Sequence, residues 1–307
     1  MPSVLYPQCL VVLYDREIGL QQIEKALSEF ELAGRNDDPA LDWMYSGPNV
    51  SLSYLPEDRG FIIVDVVNKQ WPDEMGDPDS DPALFTAWTM GQFGHLVYPG
   101  ALRRAKEQSW TWPEAAETAE QHKSFVRIRS SYVRMSEEES FVPPDYEPLA
   151  ELEFMTDLAM ELLKGVGSIC FFNPNGEVLR DLVTLTEDVE RMRVENLPPF
   201  EVWSNIRILR LDEGWMLMDT VGNQQFGLRD FEACFPEQEF DPEQIHDFLR
   251  QLTFYQLEND VAIRDGDTTD GPGEMVWIAS EVEESLVIPP RKIFRWHPEG
   301  YVPPPAE

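Results

Sequence analysis

The sequence predicts an α+β fold, with mixed or antiparallel sheets and helices packed against them. Three observations carry this. Short apolar, β-branched runs recur along the chain. Between them stand segments whose apolar residues fall three and four apart, the spacing of amphipathic helices. The two kinds do not alternate with the regularity of a doubly wound parallel fold.

The elements follow in order. "CLVVLYD" reads as a short buried strand, and "GLQQIEKALSEF" as a helix with Leu20, Ile23, Leu27 and Phe30 on one face. "VSLSYL" alternates as a strand does, and "GFIIVDVVN" is a core strand. "WPEAAETAEQHK" is helical. In "SFVRIRSSYVRM", Phe125, Arg127 and Arg129 alternate with Val126 and Ile128, which predicts a half-buried strand. "ELEFMTDLAMELLKG" places Leu152, Met155, Leu158, Ala159 and Leu162 on one helical face and stops at Gly165. "SICFF" is a buried strand and "NPNGE" a turn. Pro198 and Pro199 interrupt helix and ladder alike, so domains are expected at 1–197 and 198–307.

The last third continues with strands "SNIRILRL" and "WMLMDTV". A helix "PEQIHDFLRQLTFYQL" follows, with Asp241 as N-cap and Pro242 at its start. "VAIRD", "EMVWIAS" and "RKIFRWH" read as strands. Two echoes allow a duplicated α+β unit. Helix, link, strand and turn recur in "ELEFMTDLAMELLKGVGSICFFNPNGEVL" and "PEQIHDFLRQLTFYQLENDVAIRDGDTTD". "TMGQFG" at Thr89–Gly94 resembles "TVGNQQFG" at Thr220–Gly227. Helix–strand–turn is also simply a common unit.

The 307 residues are 42% hydrophobic, enough for a sizeable core. The opening has no basic n-region and its apolar run is short. No apolar run approaches the roughly 20 residues of a membrane helix, so the expected compartment is the cytoplasm. Cys9, Cys170 and Cys234 lie in apolar, strand-like surroundings and read as buried reduced thiols.

Charge is the dominant feature. Asp and Glu number 57 against 24 Lys and Arg, a net charge of -33. Nucleic acid and anionic membranes both require basic patches, so neither is an expected partner. An acidic field suits either general solubility or the steering of a basic protein. "WPDEMGDPDSDP" is broken by prolines and a glycine, so it predicts an exposed acidic loop. Nine acidic residues and no basic one lie between Arg134 and Lys164, which makes "EEESFVPPDYEP" an acidic connector.

Catalytic motifs do not occur. His95, His122, His246 and His297 are isolated, with no zinc-ligand spacing. There is no GxSxG, GxGxxG or GxxxxGK[ST]. "AIRDGDTTDGPGE" is the one cluster that invites a metal reading. Asp265 and Asp267 fit the first and third positions of a calcium loop. Asp270 replaces its glycine and Val276 its bidentate glutamate, so a tight turn is favoured. No metal, cofactor or catalytic residue is expected.

The pieces "TVGNQQFGLRDFEACFP", "DPEQIHDFLRQLTFYQL" and "VAIRDGDTTDGPGE" resemble an uncharacterised bacterial domain family, catalogued as a domain of unknown function. Gly222, Phe226, Gly227, Glu232, Asp265, Gly266, Asp267 and Thr268 fit its pattern. "DLAMELLKGVGSICFFNPNGEVL" looks like the family's preceding segment, so the resemblance spans roughly the second half of the chain. Families of this kind occur among immunity proteins that neutralise toxins of the type VI secretion system. The resemblance implies a non-enzymatic protein that binds a cognate basic toxin, such as a nuclease effector. The expected contact residues are Asp73, Asp77, Asp79 and Asp81 in one loop and Glu137, Glu138 and Glu139 in the connector. Trp71 or Tyr146 would be the nearby apolar anchor. Two rival readings remain open: an adaptor or chaperone that loads an effector, and an enzyme of unrecognised type.

Overall fold

A computed structural model of the chain describes residues 8–39, 42–90, 99–132, 142–211, 214–259 and 262–302. They fall into two compact units, Met1–Trp203 and Ser204–Glu307. The expected division at 197/198 thus stands against an observed one after Trp203. Phe200–Trp203 is a short helix, and Trp203 is fully buried with its indole N–H on Thr156 Oγ1 at 2.9 Å. That contact places the segment after the two prolines in the N-terminal unit.

The N-terminal unit runs β1 (Cys9–Tyr14), α1 (Leu20–Ala26), β2 (Leu32–Asn36), β3 (Asn49–Ser53), β4 (Gly60–Val67), α2 (Pro82–Met90) and α3 (Ala101–Glu107). It continues with α4 (Ala115–Glu120), β5 (Ser124–Tyr132), α5 (Pro148–Leu163), β6 (Ser168–Asn173), β7 (Val178–Arg180), α6 (Leu182–Val194) and α7 (Phe200–Trp203). Its seven strands form one sheet in the order β2-β3-β4-β5-β1-β6-β7, antiparallel throughout.

β1 sits near the centre, and all six of its residues are buried. Side chains alternate across a strand, so β1 needs apolar cover on both faces. Cys9, Val11 and Leu13 join a cluster with Trp71, Phe125, Phe172 and the alanines of α3 and α4. α5 covers the other face, where the Tyr14 hydroxyl donates to Leu162 O. Leu152, Met155, Leu158, Ala159 and Leu162 of α5 are fully buried, as their spacing predicts. Each such large apolar side chain contributes about 1.5–3 kcal/mol.

β5 departs from expectation. It is not half-buried: Arg127 is 0% and Arg129 4% exposed. The alternation is real, but both faces are covered, and an acidic partner on β4 takes the charge.

The C-terminal unit runs β8 (Asn205–Arg210), β9 (Trp215–Val221), β10 (Asp230–Pro236), α8 (Pro242–Asn259), β11 (Thr268–Gly271), β12 (Met275–Val282) and β13 (Ile293–Pro298). The sheet order is β11-β12-β13-β10-β9-β8, with β10 and β13 parallel and the other pairs antiparallel. α8 lays Ile245, Phe248, Leu249 and Leu252 into a cluster with Phe231, Phe235, Trp277 and Trp296. Asp241 caps it, accepting the Glu243 N–H at 3.0 Å.

The described residues of "VAIRD" do not form a strand. Residues 262–264 carry no ladder, and the strand begins at Thr268. Gly266, at φ 80°, donates its N–H to Ala279 O, and the Ala279 N–H returns to Asp267 O. The echo between α5–β6–β7 and the α8 segment therefore ends at the helix. The other echo, at Thr89–Gly94, lies mostly outside the described residues.

Candidate functional site

The acidic loop begins at Trp71, beyond the end of β4 at Val67, and runs to the start of α2 at Pro82. Trp71 does not project from it. It is 6% exposed and packs edge-on against Phe125 and Phe172, with centroids 5.3 and 5.2 Å away. Its backbone N–H donates to His122 Nε2 at 2.8 Å. His122 Nδ1 lies 2.5 Å from Ala119 O, so Nδ1 carries the proton and the ring is neutral. Burial lowers the pKa of His122 in the same sense.

Asp73 also looks inward. Its oxygens accept the N–H groups of Leu102 at 3.1 Å and Arg103 at 2.6 Å, at the start of α3. Burial raises its carboxyl pKa. Asp77 folds the loop, accepting from the Asp79 and Ser80 N–H groups. Asp79 is exposed, and its carboxylate has no partner among the described residues. Asp81 accepts from Lys69 Nζ at 2.5 Å and from the Trp43 indole N–H at 3.2 Å. The Lys69 ammonium holds its carboxyl below the usual range.

Glu137, Glu138 and Glu139 lie outside the described residues. Tyr146 is half-buried, and its hydroxyl donates to Glu151 Oε1 at 2.6 Å, while Tyr132 donates to Oε2 at 2.6 Å. Glu151 is fully buried, and burial raises its pKa. Of the expected contact residues, the structure leaves Asp77 and Asp79 facing solvent. It turns Trp71, Asp73 and Tyr146 to structural work.

Sequence spacing gave no sign of a cleft of about 790 Å³ in the N-terminal unit. Ile18, Pro48 and Val67 supply apolar wall, and Trp43, Lys69 and Asp37 supply polar and aromatic rim. Lys69 Nζ stands 4.7 Å from the centroid of the Trp43 ring. Arg35, also at the cleft, is held by Asp37 and by Glu24.

A smaller cavity of about 350 Å³ lies in the C-terminal unit, bordered by Gly227, Arg229, Gln256, Asp265, Glu281 and Phe294. The Arg229 guanidinium sits 4.9 Å from the Phe294 ring centroid and bonds Glu281 at 2.5 Å. Asp265 accepts the Glu281 N–H at 2.9 Å and Asp267 the Arg264 N–H at 2.8 Å. Both carboxylates thus build the turn. Among the described residues no group of three or more His, Cys, Asp or Glu is placed to hold a metal. Cys9, Cys170 and Cys234 are buried free thiols, and burial raises Cys9 to about 11 and Cys234 to about 12.

Both sheets bury charge. In the N-terminal unit Asp65 faces Arg127 directly across β4 and β5, with Arg127 Nη2 on Oδ2 at 2.5 Å and Arg129 Nη2 on Oδ1 at 3.1 Å. In the C-terminal unit Asp219 faces Arg207 across β8 and β9 and also takes Arg291 at 2.6 Å. Burial works to raise the Asp219 pKa. Arg207 and Arg291 outweigh it and hold the group ionised below its ordinary value.

The C-terminal unit is therefore a mixed-sheet α+β domain, helix on one face, organised around buried ion pairs. Its residues 219–297 match a family described as a domain of unknown function, DUF4261. The match takes in Gly222, Phe226, Gly227, Glu232 and the Asp265–Thr268 turn. It does not reach the segment from Asp157 to Leu179 that also resembled such a family. No curated protein and no solved structure matches the chain.

Proposed function

We propose that this is an immunity protein. It binds a cognate basic toxin in the cytoplasm and blocks it stoichiometrically, the toxin being a nuclease effector of a type VI secretion system. The placement of charge carries the reading. Seven arginines and six carboxylates are buried among the described residues. Set against 24 basic and 57 acidic residues in all, that leaves 17 basic side chains facing 51 acidic ones outside the buried set. The described interior is close to neutral, so among the described residues the acidic excess lies at exposed and half-buried positions, where a partner meets it.

A nuclease must be basic where it holds phosphate. An acidic surface competes for that cleft and speeds encounter by long-range attraction. Among the described residues of the expected contact set, exposed Asp77 and Asp79 stand free to act this way. No helix among the described residues is long and apolar enough to cross a membrane.

The test is co-expression with the product of an adjacent basic, toxic reading frame. Rescue of growth together with co-purification at equal stoichiometry is the expected result. Failure to bind and to rescue overturns the reading. Binding without rescue reassigns the protein as an effector-loading adaptor.

A further inference from the structure

We infer that the cleft beside Trp43 is the receiving site for an arginine side chain of a basic protein partner, and that Lys69 occupies it in the free protein. The partner's identity rests on the proposed function; the chemistry of the cleft does not.

Lys69 already shows what the cleft binds. Its ammonium lies over the Trp43 ring at 4.7 Å and on Asp81 at 2.5 Å. A cation on an indole face, closed by a carboxylate, is a complete cation site. Its occupant is weakly held. The Lys69 side chain is 46% exposed and that of Asp81 23%, and ion pairs this exposed come close to break-even in water.

A guanidinium suits the same groups better. It stacks flat on an indole and can take both oxygens of one carboxylate, where an ammonium is a point charge. Ile18, Pro48 and Val67 line the cleft, and the exposed Pro48 ring offers apolar surface to the methylene stem of a long side chain, over the buried Ile18 and Val67.

The local charge is complementary. Asp37 lines the cleft with Lys69 and Arg35, and Asp81 and Glu24 stand behind them as the carboxylates paired to Lys69 and Arg35. Arg35 is committed to Asp37 and Glu24, so Asp81 is the carboxylate an incoming cation gains by displacing Lys69. The acidic loop ends at Asp81, so a basic partner drawn to Asp77 and Asp79 is delivered to this cleft.

Titration calorimetry of the full chain with a nona-arginine peptide tests this, with nona-lysine as comparison. Trp43→Leu keeps apolar bulk and removes the indole; it should weaken nona-arginine about tenfold and nona-lysine less. Asp81→Asn should also weaken it. Lys69→Ala should tighten nona-arginine several-fold more than Lys164→Ala, which removes an exposed lysine of the same unit far along the chain. Equal effects of the two lysine substitutions would reduce the attraction to general charge and overturn the proposal. So would unchanged affinity in a folded Trp43→Leu protein. The peptide reads the cleft alone and growth rescue reads the immunity function, so failure of one is distinguishable from failure of the other.

Discussion

The two sheets share one device and balance it differently. Each sets an aspartate opposite an arginine across neighbouring antiparallel strands, Asp65 to Arg127 and Asp219 to Arg207, and adds a second arginine. In the N-terminal unit two guanidiniums share one carboxylate. Arg127 also donates to the carbonyls of Trp43 and Met44 and Arg129 to that of Tyr45, while Arg129 Nε is buried without a partner among the described residues. In the C-terminal unit a second carboxylate, Asp230, takes Arg291 Nε at 2.8 Å, while Ile288, Pro289 and Thr220 supply carbonyls. Each cluster thereby ties a loop to the sheet through its carbonyls. Arginine, with five donors in a rigid fork, serves a carboxylate and two carbonyls together in fixed geometry. In the N-terminal unit the pinned loop carries Trp43, so the buried cluster sets the position of the cleft wall.

The largest expected effect removes the carboxylate that two buried arginines share. Asp65→Asn leaves Arg127 and Arg129 buried without that counter-charge, and should cost about 3–5 kcal/mol in urea unfolding. Amide protection should fall first in β4 and β5. Asp219→Asn should cost less, about 2–3 kcal/mol, because Asp230 still pairs with Arg291. A larger loss at Asp219 than at Asp65 would mean that the second carboxylate compensates little, and the contrast between the clusters would fail.

Neither cluster could be read from the sequence, and the reason is specific. Arg127 and Arg129 alternate with Val126 and Ile128 in a pattern that a solvated face produces equally well. What decides is that Asp65, far away in the chain, lies in register with them. Helices α5 and α8 were legible because their information is local: Leu152 to Leu162 on α5 and the Asp241 cap of α8 need no distant partner, whereas α6 went unread. Trp71 misleads for the opposite reason. The proline after it marks a loop correctly, but the indole turns back into the core. Trp43, Lys69 and Asp81 carry no common spacing at all and meet only once the sheet and loops are formed. "VAIRD" is an apolar run too short to tell a ladder from a loop held by the Asp265–Asp267 turn.

Two buried acids, Glu151 and Asp219, should also respond to pH with opposite sign. Burial raises Glu151 above its ordinary 4.5, despite the Tyr132 and Tyr146 hydroxyls that favour its charged form. The folded state then binds the proton more tightly than the unfolded chain. Its contribution is full below 4.5 and lost as pH rises through the elevated folded value. Asp219 is held below its ordinary 3.8. Its contribution is full above 3.8 and lost as pH falls through the depressed folded value. Glu151→Gln should therefore flatten the decline of stability on the alkaline side of 4.5 and leave the acid limb unchanged. Urea midpoints measured across that range check it; an unaltered decline in the variant would assign the slope to other groups.

The smallest effect on stability separates the surface from both clusters. Asp79 is exposed and carries no described side-chain partner, so Asp79→Asn should change unfolding by no more than about 0.5 kcal/mol. Its consequence belongs to association. A rim charge acts at a distance, through encounter rate, and salt screens it. Asp79→Asn should slow association with a basic partner at low ionic strength, flatten the salt dependence of that rate, and leave dissociation unchanged. Asp81→Asn should instead speed dissociation, because Asp81 closes the cation site on Trp43. Stopped-flow rates at two ionic strengths resolve the pair. If both variants altered only the association rate, Asp81 would be one more solvated charge and the cleft would have no part in holding the partner.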